Sequence, residues 1–149
     1  MTSHHVILRV ISKMLMPVIV VYAFYVQFHG DYGPGGGFQA GVILAVAVIL
    51  YALVFGVPEA LRAVPALFAG SLAAFGLLLY AGVGVWAMLN GGSYLDYDFL
   101  VNEPAGGHAG QHLGILLIEL GVLFTVSGSM LTIFYAFAGR VAEIRDEDW

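Results

Sequence analysis

The sequence predicts an all-α integral membrane protein with four transmembrane helices and both termini cytoplasmic. Three observations carry that expectation. Of 149 residues, 60% are hydrophobic and only 10% charged, far more apolar than an average soluble domain. Four apolar runs are long enough to cross a bilayer. The basic residues fall only into alternate connections between those runs. A soluble core of this size needs a charged shell that five basic and ten acidic residues cannot build, so lipid takes its place. The chain reads as a single membrane domain over 1–149, with spans at about 6–28, 38–57, 64–89 and 113–138.

The first span is the least tidy. Met14 to Phe28 is only 15 residues, so it must extend back past Lys13 and Arg9 to about Val6. The long stems of both cations can snorkel to the headgroups. No small-residue cleavage site follows it, which argues for a retained anchor rather than a signal peptide. The second span, Phe38 to Val57, is 20 residues without a charge and matches a hydrocarbon core of roughly 30 Å at a rise of about 1.5 Å per residue. The third, Val64 to Leu89, and the fourth, Leu113 to Ala138, have 26 residues each, enough to span with tilt. Arg9 and Lys13 precede or open span one, Arg62 lies in the short Val57 to Val64 turn, and Arg140 and Arg145 follow span four. The other two connections have no Lys or Arg, which places the termini and that turn on the cytoplasmic side. The longest connection, Asn90 to His112, carries Asp96, Asp98 and Glu103 and faces outside on this reading. Asn90-Gly91-Gly92 and Asn102-Glu103-Pro104 read as turns within it, with a helical entry from His108.

Composition also excludes functions. Without cysteine there are no disulfides, thiolate zinc sites or cysteine-ligated clusters, and redox chemistry and cofactors are not expected. No basic patch is present to neutralise phosphates, so nucleic acid is not a partner. No nucleophile and base form a pair, and no complete metal-ligand set appears.

Two features are candidates for chemistry. The stretch from Phe28 to Phe38, containing His29, Asp31, Pro34, Gly35, Gly36 and Gly37, joins the first two spans as a tight, adaptable turn. It is either a plain connector or a place of close approach, and the N–H groups opening span two attract an anion. Glu119 is the only ionisable group well inside an apolar run, about 9 Å in from Leu113 at helical rise. Such a group costs several kcal/mol unless paired, protonated or hydrated. The sequence offers it no charged partner: spans two and three have none, and Arg9 and Lys13 lie toward the opposite membrane face. It is a transport group or an intersubunit salt bridge. Gly114, Gly121 and Gly128 recur at seven-residue intervals as a helix-packing stripe, with Glu119 roughly opposite at 100° per residue. Two faces asking for neighbours on one helix favour a multi-subunit assembly. His108 and His112, spaced i,i+4, lack a third ligand, and His112 is a candidate proton collector at the outer end. Thr125, Ser127, Ser129 and Thr132 give span four a polar inner half that either lines a hydrated path or packs helices through bonds to carbonyls one turn back.

The residues Gln27-Phe28-His29-Gly30, Pro34-Gly35-Gly36-Gly37-Phe38 and Gly41, then Leu113-Gly114-Ile115 and Glu119-Leu120-Gly121-Val122, resemble the B-type small membrane component of the Mrp-type sodium/proton antiporters. The resemblance covers most of residues 6 to 138 and is weakest from Asn90 to Gly107. It implies an accessory subunit of a multisubunit Na⁺/H⁺ antiporter in a prokaryotic cell membrane, needed for assembly and helping to shape the ion path. Its partners would be complex I-like antiporter subunits and other small membrane subunits, with Na⁺ and H⁺ as the transported ions. Glu119, His29, Asp31 and His112 become ion or proton candidates, and Pro34, Gly35, Gly36, Gly37 and Phe38 the gating or subunit-interface turn. The alternatives are a homo-oligomeric small channel or transporter, a structural subunit of a related membrane-bound oxidoreductase, and a pure scaffold.

Overall fold

The computed structural model of the chain describes residues 3–30, 33–101 and 108–139. Asp31, Glu103, Pro104, Arg140 and Arg145 lie outside the described residues. All regular structure among the described residues is helical. Four helices, with apolar stretches Val6–His29, Gly37–Phe55, Ala66–Leu89 and Ala109–Ala138, are long and apolar enough to cross a membrane.

Helix α1 (Ser3–His29) is one continuous segment that carries Pro17 in its interior. The proline has no N–H for the carbonyl of Lys13 one turn back, so one rung of the ladder is missing there. Helix α2 (Gly37–Phe55) begins after Gly36, at φ +105°, and ends before Gly56, at φ +101°. Both are backbone states that a β-carbon disfavours, so glycines bracket the helix at the two places where the chain must turn.

Val57 to Val64, expected as a turn, contains a short helix, α3 (Val57–Ala63). The local chemistry explains it: Pro58 sits in the first turn, Glu59 near the positive end and Arg62 near the negative end. Arg62 donates to Glu59 at 2.6 Å across one exposed turn. Pro65 starts helix α4 (Ala66–Leu89). A loop containing a single 3-10 turn at Tyr97–Phe99 then leads to helix α5 (Ala109–Ala138).

The order of packing differs from the order in sequence. Helix α5 packs on both α2 and α4, while α1 packs mainly on α2, giving the row α1, α2, α5, α4. The interfaces are built from small residues. The buried positions of α2 are Gly37, Ala40, Gly41, Ala45, Ala47 and Ala52, without a single large side chain. Apolar side chains gain little by leaving lipid for protein, so close approach of backbones and dispersion contacts hold such helices together. Large residues point outward instead, including Met14, Val21, Leu53, Leu67, Leu78 and Leu89. In water that surface would aggregate; in a bilayer it is the surface the solvent requires.

The two ends of the row differ in charge. Arg9 and Lys13 stand 6.0 and 5.5 Å from the centroid of the Phe55 ring, next to the Glu59–Arg62 turn of α3. The described lysine and arginine side chains therefore gather at one end. Glu119, His29 and the glycine turn lie away from them, at the other end of the α1–α2 hairpin.

Candidate functional site

Glu119 lies in the third turn of α5, half-buried, with its carboxyl group against the turn between α1 and α2. The turn is tied back on itself: Gly33 N–H donates to His29 O at 3.1 Å, and Gly36 N–H donates to Val26 O at 3.2 Å. This folds the glycines into a shallow cradle. A β-carbon on Gly30 would stand 2.6 Å from Glu119 Oε1 and 2.9 Å from Oε2, and one on Gly36 would stand 3.0 Å from Oε1. At Gly37 a β-carbon would overlap the backbone carbonyl of Glu119 itself. The absence of side chains at these three positions is what lets the carboxyl group and the α5 backbone reach the start of α2.

The carboxyl has a partner in its own chain, contrary to the expectation from sequence. Gln27 Nε2 donates to Glu119 Oε2 at 3.3 Å. Gln27 is 1% exposed, and it sits on the last full turn of α1 before the glycine turn. Charge does not mark it out, because the partner is a neutral amide 92 residues away. A glutamine in an apolar span, three residues before a glycine, was the available signal. The other amide atom, Gln27 Oε1, is buried with no hydrogen-bond donor.

Two electrostatic influences meet at Glu119. The start of α2 lies beside the carboxyl, with the β-position of Gly36 3.0 Å from Glu119 Oε1, so the positive end of the α2 dipole is close to the group. The Gln27 amide faces the same carboxyl from α1.

The second face of α5 is also filled from within the chain, which removes the argument that its two faces demand a neighbour from another subunit. Gly121 and Gly128 meet α4: a β-carbon on Gly121 would stand 2.9 Å from Gly76 O, and one on Gly128 would stand 2.5 Å from Ala69 O. Gly114 meets the ring of Tyr97 from the loop rather than another helix. Thr125 Oγ1 donates to Gly121 O at 2.8 Å, Ser127 Oγ to Leu123 O at 2.8 Å, and Thr132 Oγ1 to Gly128 O at 2.8 Å, so these hydroxyls bond one turn back along α5.

The remaining sequence candidates are placed as follows. His29 stacks on Tyr25, with ring centroids 5.3 Å apart, and its Nε2 stands 3.1 Å from the β-position of Gly33. Pro34 and Phe38 are exposed, Gly35 is half-buried beside Val26 O, and Gly36 and Gly37 are buried against Glu119. His108 caps α5 and His112 is exposed one turn on, about 10 Å along the helix from Glu119 by helical rise. Asp31 falls outside the described residues. The loop, from which the sequence carried nothing over, supplies real contacts: Gln111 Nε2 donates to Asp98 Oδ1 at 2.7 Å, and Tyr97 covers Gly110 and Gly114. Burial, followed by Tyr80 nearby, pushes the Tyr97 phenol above its ordinary value.

Helices of this length and apolarity, with one carboxyl held inside the row by an amide and a glycine turn, define a multi-pass membrane protein with an internal ionisable site. Residues 7–132 match the family described as a domain related to the MnhB subunit of Na⁺/H⁺ antiporter, and the chain belongs to that family. It is similar to proteins named "Putative antiporter subunit mnhB2" in two staphylococci. The protein of Staphylococcus aureus (strain MRSA252) is 34% identical over 140 residues, covering 93% of this chain and 98% of the relative. That of Staphylococcus haemolyticus (strain JCSC1435) is 35% identical over 140 residues, with the same coverage.

Proposed function

We propose that this chain serves as an accessory membrane subunit of a multisubunit Na⁺/H⁺ antiporter, and that Glu119 is its proton- or cation-holding group. Family membership supports the first part. The observation that carries the second is a half-buried carboxyl within an apolar helix, set against Gln27, Gly30 and Gly36. A group that served only as a salt bridge to another subunit would point outward; this one points into its own helix row. The reading makes the chain a component of a transport complex rather than an enzyme. Its partners are the complex I-like antiporter subunits and the other small membrane subunits, and the ions carried by the complex are Na⁺ and H⁺. Clustering of Arg9, Lys13 and Arg62 at one end supports an orientation with that end, and both termini, in the cytoplasm of a prokaryotic cell.

The test is Glu119→Gln within the whole complex, with co-purification of the other subunits and Na⁺-driven proton flux in vesicles both measured. The expected result is normal assembly with strongly reduced flux. Normal flux across the pH range overturns the titrating role, and loss of assembly favours the scaffold reading in its place.

A further inference from the structure

We propose that Gln27 is a positioning residue for the proton-bound state of Glu119, forming with the neutral acid a two-bond pair that the carboxylate cannot make. This rests on the reading of Glu119 as a titrating group. A primary amide carries a donor and an acceptor side by side, and so does a carboxylic acid. Facing one another, the two form a closed ring: the amide N–H donates to one carboxyl oxygen while the acid O–H donates to the amide oxygen. Half of that ring is present, with Nε2 donating to Glu119 Oε2 at 3.3 Å. The other half is the missing donor to Gln27 Oε1, an oxygen buried inside the protein without a partner. Such an orphan costs about 1–3 kcal/mol, so its retention beside an ionisable group calls for a donor that comes and goes.

The proton itself is that donor. When Glu119 takes up a proton, the new O–H is satisfied by Gln27 Oε1, and no bond other than O–H forms. When the proton leaves, the amide keeps one bond to the carboxylate, whose Oε1 lies beside Gly36 at the positive end of the α2 dipole. Protonation thus adds a second bond between Glu119 and Gln27 of α1, and deprotonation removes it. Among the described residues, the other titratable groups on the packed helices are Tyr22, Tyr25 and His29 on α1, Tyr51 on α2, Tyr80 on α4, and His112 and Tyr135 on α5. The basic side chains Arg9 and Lys13 lie at the far end of α1 by Phe55. Asp31, in the turn, is outside the described residues.

The experiment is infrared difference spectroscopy of the whole purified complex between high and low pH, alongside Na⁺-driven proton flux. The variants are E119Q, Q27L, Q27N and the exchange Q27E/E119Q. In the wild type a carboxylic acid carbonyl band appears at low pH and vanishes in E119Q. With Q27L that band changes frequency, and flux falls about three- to tenfold, the scale of one hydrogen bond. Q27N, which keeps an amide but draws it back by a methylene, gives the same band shift if Q27L fails to assemble. The exchange variant, which rebuilds the acid–amide pair with its ends reversed, recovers flux lost in E119Q. No E119Q-sensitive band in the wild type at any pH overturns the titrating role of Glu119. A band present in the wild type but unmoved in Q27L or Q27N overturns the role of Gln27 alone.

Discussion

Gly36 and Gly37 illustrate how two neighbouring glycines answer different demands. At Gly36, φ is +105°, and a side chain there meets backbone strain of about 1–3 kcal/mol in addition to the nearby Glu119 Oε1. At Gly37 the backbone is helical, and the obstacle is the α5 main chain. Gly37→Ala is therefore expected to push α2 off α5, while Gly36→Ala bends the turn and leaves the interface in contact. Cysteine pairs placed across α2 and α5 distinguish them: the cross-linking yield falls sharply for Gly37→Ala and little for Gly36→Ala. Glu119 itself stood out in the sequence, since an acid in an apolar run is conspicuous. Gln27 did not, because an amide carries no charge to search for and the contact spans 92 residues. The glycine turn was visible as a turn. That it cradles a carboxyl depends on which helix packs beside it, and local sequence does not determine that.

Among the elements, α5 faces two different neighbours with two different surfaces. Toward α2 it presents Glu119, Val122, Leu123 and Val126; toward α4 it presents Gly121, Thr125 and Gly128. Two of the three glycines at seven-residue spacing, Gly121 and Gly128, lie on the second surface. Gly114 receives the ring of Tyr97 instead, because nothing in a periodic stripe says where the partner helix ends. Gly128→Leu drives a bulky side chain into Ala69 O and the Ala73 backbone, an overpacking penalty of about 1–3 kcal/mol or more. Its expected signature is a lower unfolding midpoint in detergent, with larger loss than at Gly82, where a β-carbon meets nothing within 4 Å. At the basic end, Tyr135 donates its hydroxyl to Val64 O at 3.0 Å, just past the end of α3, and approaches Ala60 O, which already accepts the Val64 N–H, at 3.5 Å. Tyr135→Phe is expected to cost about 1 kcal/mol in the same assay.

At the scale of the molecule, hydropathy and helix length were enough to anticipate an all-helical membrane protein, because a bilayer admits so few ways of satisfying a backbone. The packing order was not legible, since alternation of spans and loops is compatible with several arrangements of four helices. Orientation is open to a direct test that the composition makes simple, as the chain has no cysteine of its own. A single cysteine at exposed Ser93 is expected to react with an impermeant thiol reagent added outside intact cells, and one at exposed Ala63 only after permeabilisation. The reverse pattern overturns the assignment of the basic end to the cytoplasm.

The row of helices also sets a timetable. Because α5 sits between α2 and α4, a helix translated after both is the one that joins them. Until it arrives, the α1–α2 hairpin and α4 have little to hold them together, and the orphaned amide of Gln27 waits without its carboxyl. Completion of the fold is thus a late event in its synthesis, and a ribosome stalled before residue 109 would leave a hairpin and a solitary helix adrift in the same membrane.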